Sequence, residues 1–520
     1  MDRTSYFQHW KRQQFQYGVA IHINPISISF CLFFFFLLLL LKLFRGKKQS
    51  INFPPSPPKL PIIGNLHQLG TLPHQSLASL SKKYGPLMLL KLGQTPTLVV
   101  SSAKMAREVM RTHDLKFSNR PKTTATNLLF YGCQDMGFAP YGAYWRQARK
   151  MCVLELFSFK RVESFQYIRD EEVGVLISRI HKACAGGEVV NLSKLFLQIS
   201  NNIVSRCVMG KKFEDENGNN RFRDVSRRVI ELLSAFCVAD FFPAFGWVDV
   251  VRGFIGELKT ISRTMDEFLD MVIEEHKTEL RTGRPDDKRD FLDIMLQLNQ
   301  DDMLGYHFTR DNLKAILQDM FAGGSDTSAT ALEWAMAELI RNPNTLKKVQ
   351  EEIRTIVGKK PKIEMNDISK MEYMKCVIKE SLRLHPPIPL LVPRETSDVV
   401  DIEGYHVASG TSVFVNAWAI QRDPIIWERP NEFIPERFME KNCADFKGLD
   451  FEFIPFGSGR RKCPGLSFAL ASFECVLANL LYWFDWKLPE DMAGELLDMS
   501  ELHGITVRKK IPLHLTPLPL

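Results

Sequence analysis

Phe456-Gly457-Ser458-Gly459-Arg460-Arg461-Lys462-Cys463-Pro464-Gly465 leads into an unbroken apolar run from Leu466 to about Trp483. The run predicts a buried helix. The glycines before it predict a tight loop, because glycine tolerates backbone angles that other residues resist. Pro464 suits the first turn of that helix, where no amide donor is needed. Cys463 is therefore expected at a helix N-terminus, where free N–H groups and the helix dipole favour a thiolate. A thiolate can ligate iron. The cysteines at 31, 133, 152, 184, 207, 237, 376, 443 and 475 are scattered and form no CxxC pair, which argues against a zinc site. A disulfide framework does not suit a chain of this length and core content, so these nine read as buried free thiols.

Working outward, Glu380-Ser381-Leu382-Arg383 puts a carboxylate and a guanidinium on one face of a helix read from Met374 to Leu384. Trp145 and Arg149 lie one helical turn apart, so both can reach one edge of a flat ligand. Phe308 to Arg341 predicts one helix of about 50 Å, enough to cross the whole body. Its middle reads Ala322-Gly323-Gly324-Ser325-Asp326-Thr327-Ser328. Two glycines inside a helix cost about 1 kcal/mol each relative to alanine, so the site must use them to admit a kink, a ligand or water. Short β-like runs occur at Leu87–Leu92, Thr97–Val100 and Val413–Val415. Helices stop at Pro343 and at Pro386-Pro387, and Arg281 to Lys288 reads as an exposed charged loop. The expected body is mainly α with a small β portion.

The cysteine loop resembles that of the cytochrome P-450 superfamily, F-x-x-G-x-R-x-C-x-G, with Phe456, Gly459, Arg461, Cys463 and Gly465 at the fixed positions. The resemblance extends to E-x-x-R at Glu380 and Arg383, to Arg437 in Pro435-Glu436-Arg437-Phe438, to W-x-x-x-R at Trp145 and Arg149, and to the glycine-rich helix motif ending in Asp326-Thr327-Ser328. It covers roughly residues 54 to 520 and looks like the plant microsomal branch of specialised metabolism. It implies a cytochrome P-450 fold and haem b with Cys463 as the axial thiolate. Phe456 would pack near the sulfur, Gly459 and Gly465 would shape the loop, and Arg461, Trp145, Arg149 and Arg394 would meet the propionates. Glu380, Arg383 and Arg437 would brace the core structurally. Thr327 would supply a hydroxyl to a proton relay and Asp326 would assist. Substrate contacts would include Phe130, Phe138, Asp319, Phe321, Gly323, Ile388, Leu390, Val392 and Ile505. Departures are small: Lys462 stands where an aliphatic residue is usual, and Ser56 where the hinge usually has glycine.

The 520 residues are 45% hydrophobic and 24% charged with a net charge of +7, ordinary for a large core and without the basic blocks that grip nucleic acid. Residues 26–44, ISISFCLFFFFLLLLLKLF, predict a single transmembrane helix of about 28 Å against a bilayer core of about 30 Å. Lys42, Arg45, Lys47 and Lys48 follow where a cleavage site would need small residues, and such a cluster stays cytosolic. Residues 45–65 form a basic, proline-rich hinge, and 66–520 the catalytic domain. Residues 1–25 are a polar, Gln-rich extension, read as a disordered tail or an upstream start.

These readings imply a monooxygenase of the endoplasmic reticulum membrane with a cytosolic catalytic domain. It would insert one atom of O2 into a small apolar terpenoid, alkaloid or phenylpropanoid-like molecule. Electrons would come from NADPH through a membrane flavoprotein reductase docking on Arg146, Lys150, Arg460 and Lys462. The aromatic stretch Phe241–Trp247 is expected to touch the membrane a second time. The alternatives are a haem-thiolate isomerase or dehydratase that needs no O2, and a non-enzymatic haem protein. Relatives of the first kind typically lose the threonine or alter the cysteine loop, and this chain keeps both.

Overall fold

The computed structural model describes residues 33, 36, 52–213, 221–282, 289–300, 306–440, 443–489 and 493–519. The expected transmembrane segment lies outside these residues except for Phe33 and Phe36, which are helical and exposed. The N-terminal extension, residues 45–51 of the hinge and residues 283–288 of the charged loop also lie outside them. From Phe53 on, the chain is one compact unit. Its proline run is extended, as proline density dictates. The run is fastened to the body: Leu89 donates to the Pro55 carbonyl at 2.9 Å, and Asn65 Nδ2 reaches the carbonyls of Pro57 and Pro58 at 3.3 Å each.

Helices make most of the body. The main sheet has four strands in the order Leu87–Leu92, Thr95–Val100, Ser412–Val415, Arg394–Glu395. The first pair is an antiparallel hairpin with Leu87 opposite Val100, and the second and third strands run parallel. One face of the hairpin joins a core with Met105, Val109 and Phe117, and the other packs on Leu77. Among the described residues, three further sheets have two or three short strands each.

The apolar run after the cysteine forms the helix Leu466–Trp483, apolar nearly all round and largely buried. Such a helix belongs in a core. Among the described residues it is the one helix long and apolar enough to cross a membrane. It begins at Leu466 with Gly465 as its N-cap, two residues after Pro464, so Pro464 and Cys463 lie just outside the first turn and not in it.

The long central helix is two helices, Arg310–Gly324 and Asp326–Arg341, with Ser325 between them. The sequence had one helix starting at Phe308. Instead Thr309 caps the N-terminus, exchanging hydrogen bonds with Asn312, and a capped helix cannot extend backward. At the break the ladder survives: Ser325 N–H donates to Phe321 at 3.2 Å and Ala329 N–H to Ser325 at 3.1 Å. Both halves pack against Leu192–Met209, and the second also against Glu372–Leu384 and Leu466–Trp483.

Candidate active site

A cavity of about 320 Å³ lies between the cysteine loop and the glycine pair. Cys463, Phe456, Arg461 and Gly465 line one side, and Gly323, Gly324, Thr327 and Ser328 are also in its wall. The cysteine loop is held by its own backbone: Cys463 N–H donates to the Phe456 carbonyl at 2.9 Å. Gly457 and Gly459 have φ of 68° and 70°, which explains why neither carries a side chain. A Cβ on Gly459 would also sit 2.2 Å from the Met110 carbonyl oxygen. Gly459 does not line the cavity; it lets the loop pass close to Met110 and Asp114, in and just after the Glu108–Thr112 helical turn. The nearest atoms to a Cβ on Gly465 would be Phe157 and, at 4.0 Å, Cys463 Sγ. Burial pushes the Cys463 thiol up, while the Gly465 N–H and the charges of Arg149 and Lys462 pull it down.

Four arginines, Arg120, Arg149, Arg394 and Arg461, share the cavity wall. Arg461 donates to the carbonyls of Ser118, Met136 and Ala139. Arg120 donates to Gly137 at 3.0 Å, Val392 at 2.5 Å and Pro393 at 2.7 Å, and Arg149 to Lys462 at 2.5 Å. Among the described residues, Arg394 alone of the four forms an ion pair with a carboxylate, Asp114 at 3.1 Å. Burial lowers the affinity of all four for their protons. Repulsion adds to this: from Arg461 and then Arg394 for Arg120, and from Arg394 and then Arg149 for Arg461, which is pushed down to about 9. So much desolvated positive charge fits a ligand that brings carboxylates. The two propionates of a haem above a cysteine thiolate meet that requirement, so the residues present fit the cofactor.

Trp145 does not reach the cavity wall. Its indole N–H donates to the Met136 carbonyl at 2.9 Å, and its ring lies under Arg461 at 4.3 Å and Arg149 at 5.4 Å. It is a platform for two arginines. Asp326 is turned away as well: it is 8% exposed and accepts a hydrogen bond from the Thr506 hydroxyl, while Thr506 lines the cavity. Thr327 lines the cavity and donates to the Gly323 carbonyl at 2.5 Å. A hydroxyl that donates to its own helix keeps its lone pairs free to accept.

Glu380, Arg383 and Arg437 meet in one cluster. Arg383 clasps Glu380 through Nε at 2.7 Å and Nη2 at 2.8 Å, and Arg437 reaches Glu380 Oε1 at 3.0 Å. Arg383 spends its other donors on the carbonyls of Gln421, Pro430 and Glu432.

Of the residues expected to meet substrate, Phe130, Phe138, Gly323, Val392 and Ile505 line the cavity, as do Asp319 and Ile388. Phe321 and Leu390 do not. Phe321 is 1% exposed and packs edge-on to Phe222 at 4.5 Å, and Leu390 packs on the hairpin core. Arg120, Asp114, Phe157 and Thr506 were missed by the sequence reading, since no local pattern marks them.

A family model described as Cytochrome P450 matches residues 54–515. Phenylacetaldehyde oxime monooxygenase of Prunus mume is 51% identical, with 99% of each chain covered. Cytochrome P450 71A1 of Persea americana is 53% identical over 87% of this chain and 90% of its own. Strychnine-11-hydroxylase of Strychnos nux-vomica is 49% identical, over 90% of this chain and 91% of its own. A solved zebra fish cytochrome P450 with progesterone superposes with a TM-score of 0.73 at 27% identity, covering 86% of this chain and 99% of that one. With the cysteine loop, the arginine wall and these relatives in agreement, the chain belongs to the cytochrome P450 family of haem-thiolate monooxygenases.

Proposed function

We propose that this chain, through haem held by Cys463, inserts one oxygen atom of O2 into a small apolar specialised metabolite. The observation that carries the reading is the juxtaposition of Cys463, the arginine wall and Thr327 around one cavity whose remaining lining is mostly apolar. Haem, when bound, would supply O2 activation, with the Cys463 thiolate donating electron density to it. Arg461, Arg149, Arg394 and Arg120 would bind its carboxylates. Thr327 accepts from a water in the groove that Gly323 leaves open, and Asp326 delivers protons through the Thr506 hydroxyl. Phe130, Phe138, Val392 and Ile505 shape the pocket around substrate, which favours a terpenoid, alkaloid or phenylpropanoid-like molecule.

Electrons reach the site from an NADPH-dependent flavoprotein reductase. Arg146, Lys150 and Arg460 are exposed and Lys462 half-buried, which supports an acidic partner on that face. An endoplasmic reticulum location with a cytosolic body rests on the apolar segment 26–44 and the basic residues after it. Phe245 at 50% exposure, Trp247 at 62%, Val250 at 63% and Val251 at 77% suit a second membrane contact. Trp247 fluorescence that ignores added vesicles would remove that contact.

The test is turnover in vesicles with reductase, NADPH and isotopically labelled O2 against a panel of apolar plant metabolites. One labelled oxygen atom in product, with reduction slowing as salt rises, supports the reading. Product formed without O2 overturns it.

A further inference from the structure

Met136, Gly137 and Phe138 line the cavity, and the short loop that carries them is held from both sides. On the cofactor side its carbonyls are taken: Met136 by Trp145 at 2.9 Å and by Arg461 at 3.3 Å, Gly137 by Arg120 at 3.0 Å. On the other side its amides end on two carboxyl groups. Asp319, on the central helix, accepts from Met136 N–H at 2.5 Å and Gly137 N–H at 3.0 Å. Asp135 accepts from Phe138 N–H at 2.8 Å.

These two carboxyls face each other. A Cβ on Gly137 would lie 3.1 Å from Asp135 Oδ2 and 3.2 Å from Asp319 Oδ1, so the absent side chain is what allows both to approach the same backbone. Neither carboxyl has an ion-pair partner among the described residues, and two negative charges converging on one glycine in a buried site repel strongly; one must carry a proton. Asp135 is 0% exposed and its Oδ1 has no hydrogen-bond partner, a state a full negative charge would not tolerate.

We propose that Asp135 and Asp319 hold a single proton between them, and that this acid pair positions the 135–138 loop over the cavity. Both residues are positioning residues: they act on substrate space through Met136, Gly137 and Phe138. Burial raises both carboxyls, Asp319 further through the charge of Asp135, and the pair together behaves as one acid. The groups around it are Arg461 from the cysteine loop, Arg120 from the chain before the loop, and Tyr144 and Cys152 from the Ala143–Glu155 helix. The arginines stabilise the first negative charge. A second would be buried against it, so the loop weakens as rising pH removes the shared proton.

Infrared difference spectra of the haem-loaded full chain test the sharing. A buried protonated-carboxyl band at neutral pH should vanish in Asp135→Asn and equally in Asp319→Asn, because either substitution removes the one proton both residues use. A band that survives both substitutions overturns the proposal, as does a separate band lost with each. Hydrogen exchange of the Met136–Phe138 amides tests the positioning, read as protection from about pH 6 to about pH 9. Wild-type protection should fall at the alkaline end. Asp319→Asn keeps an acceptor for two amides and a donor for Asp135, so its protection should stay flat. If Asp319→Asn opens the loop at neutral pH as much as Asp319→Ala does, Asp319 is an ordinary carboxylate and the proposal fails.

Discussion

Gly323 and Gly324 are adjacent, yet alanine should act in opposite senses at the two. A Cβ at Gly324 would lie 2.9 Å from Val204 Cγ2, on the Leu192–Met209 helix. Carbon contacts settle near 3.5–4.0 Å, so the methyl intrudes by roughly 0.6–1 Å. Val204 is β-branched, nearly locked in a helix, and cannot swing aside. Overpacking of this kind costs about 1–3 kcal/mol, against a gain of about 1 kcal/mol from alanine's helix propensity. Gly324→Ala should therefore lose up to about 2 kcal/mol. A Cβ at Gly323 meets nothing within 4 Å and projects into the cavity. Gly323→Ala should gain up to about 1 kcal/mol and lose turnover by filling the groove. Chemical unfolding of both holoenzymes side by side, with activity, reads the contrast. Val204→Ala combined with Gly324→Ala should recover part of the loss, a non-additive result expected only for touching side chains. Equal stability changes at the two glycines, or strict additivity with Val204→Ala, would refute the packing explanation.

Three further outcomes follow from the geometry. Glu380→Gln leaves Arg383 and Arg437 facing an uncharged group in a site of 0% exposure, a loss of about 3–5 kcal/mol; a variant that takes up haem and unfolds as the parent does would contradict this. Thr327→Ala should retain the haem spectrum and NADPH consumption while releasing more peroxide and less product, whereas Asp326→Asn should slow all three; unchanged product per NADPH in Thr327→Ala would refute the role given to the hydroxyl. His276 donates through Nδ1 to the Val272 carbonyl at 2.8 Å and through Nε2 to Asp290 at 3.0 Å, so it is held as the imidazolium. Burial opposes the charge, but Asp290 outweighs it and leaves the group raised above 6.5. Its contribution is complete below the ordinary histidine value and is lost as pH rises through the raised one; a denaturation midpoint that does not fall across that range, or falls equally in His276→Gln, would contradict it.

What the sequence disclosed was what depends on local chemistry. The cysteine loop needs its residues at fixed spacing because the chain doubles back on itself, and Leu466–Trp483 and Leu87–Leu92 have the observed bounds because their apolar content leaves no other choice. Glu380 and Arg383 share a helix face, so their pairing was readable; the carbonyls that consume Arg383's other donors come from residues 421–432 and were not. Direction was harder than position. Trp145, Phe321 and Leu390 stand in the expected segments but turn into packing, and Asp326 turns to Thr506, a partner 180 residues away. Arg120 and Asp114 carry no pattern at all, since their importance arises from other arginines that folding brings beside them.

The central claim is that Cys463 holds the iron of the haem that these arginines seat. The most direct measurement is the absorption spectrum of the reduced full-length protein under carbon monoxide, for wild type and Cys463→Ser at matched haem content. The wild type should show the red-shifted Soret band specific to thiolate ligation, and the variant should lose it. A variant that keeps that band would contradict the assignment of Cys463, and a wild type that never shows it would contradict the haem-thiolate reading itself.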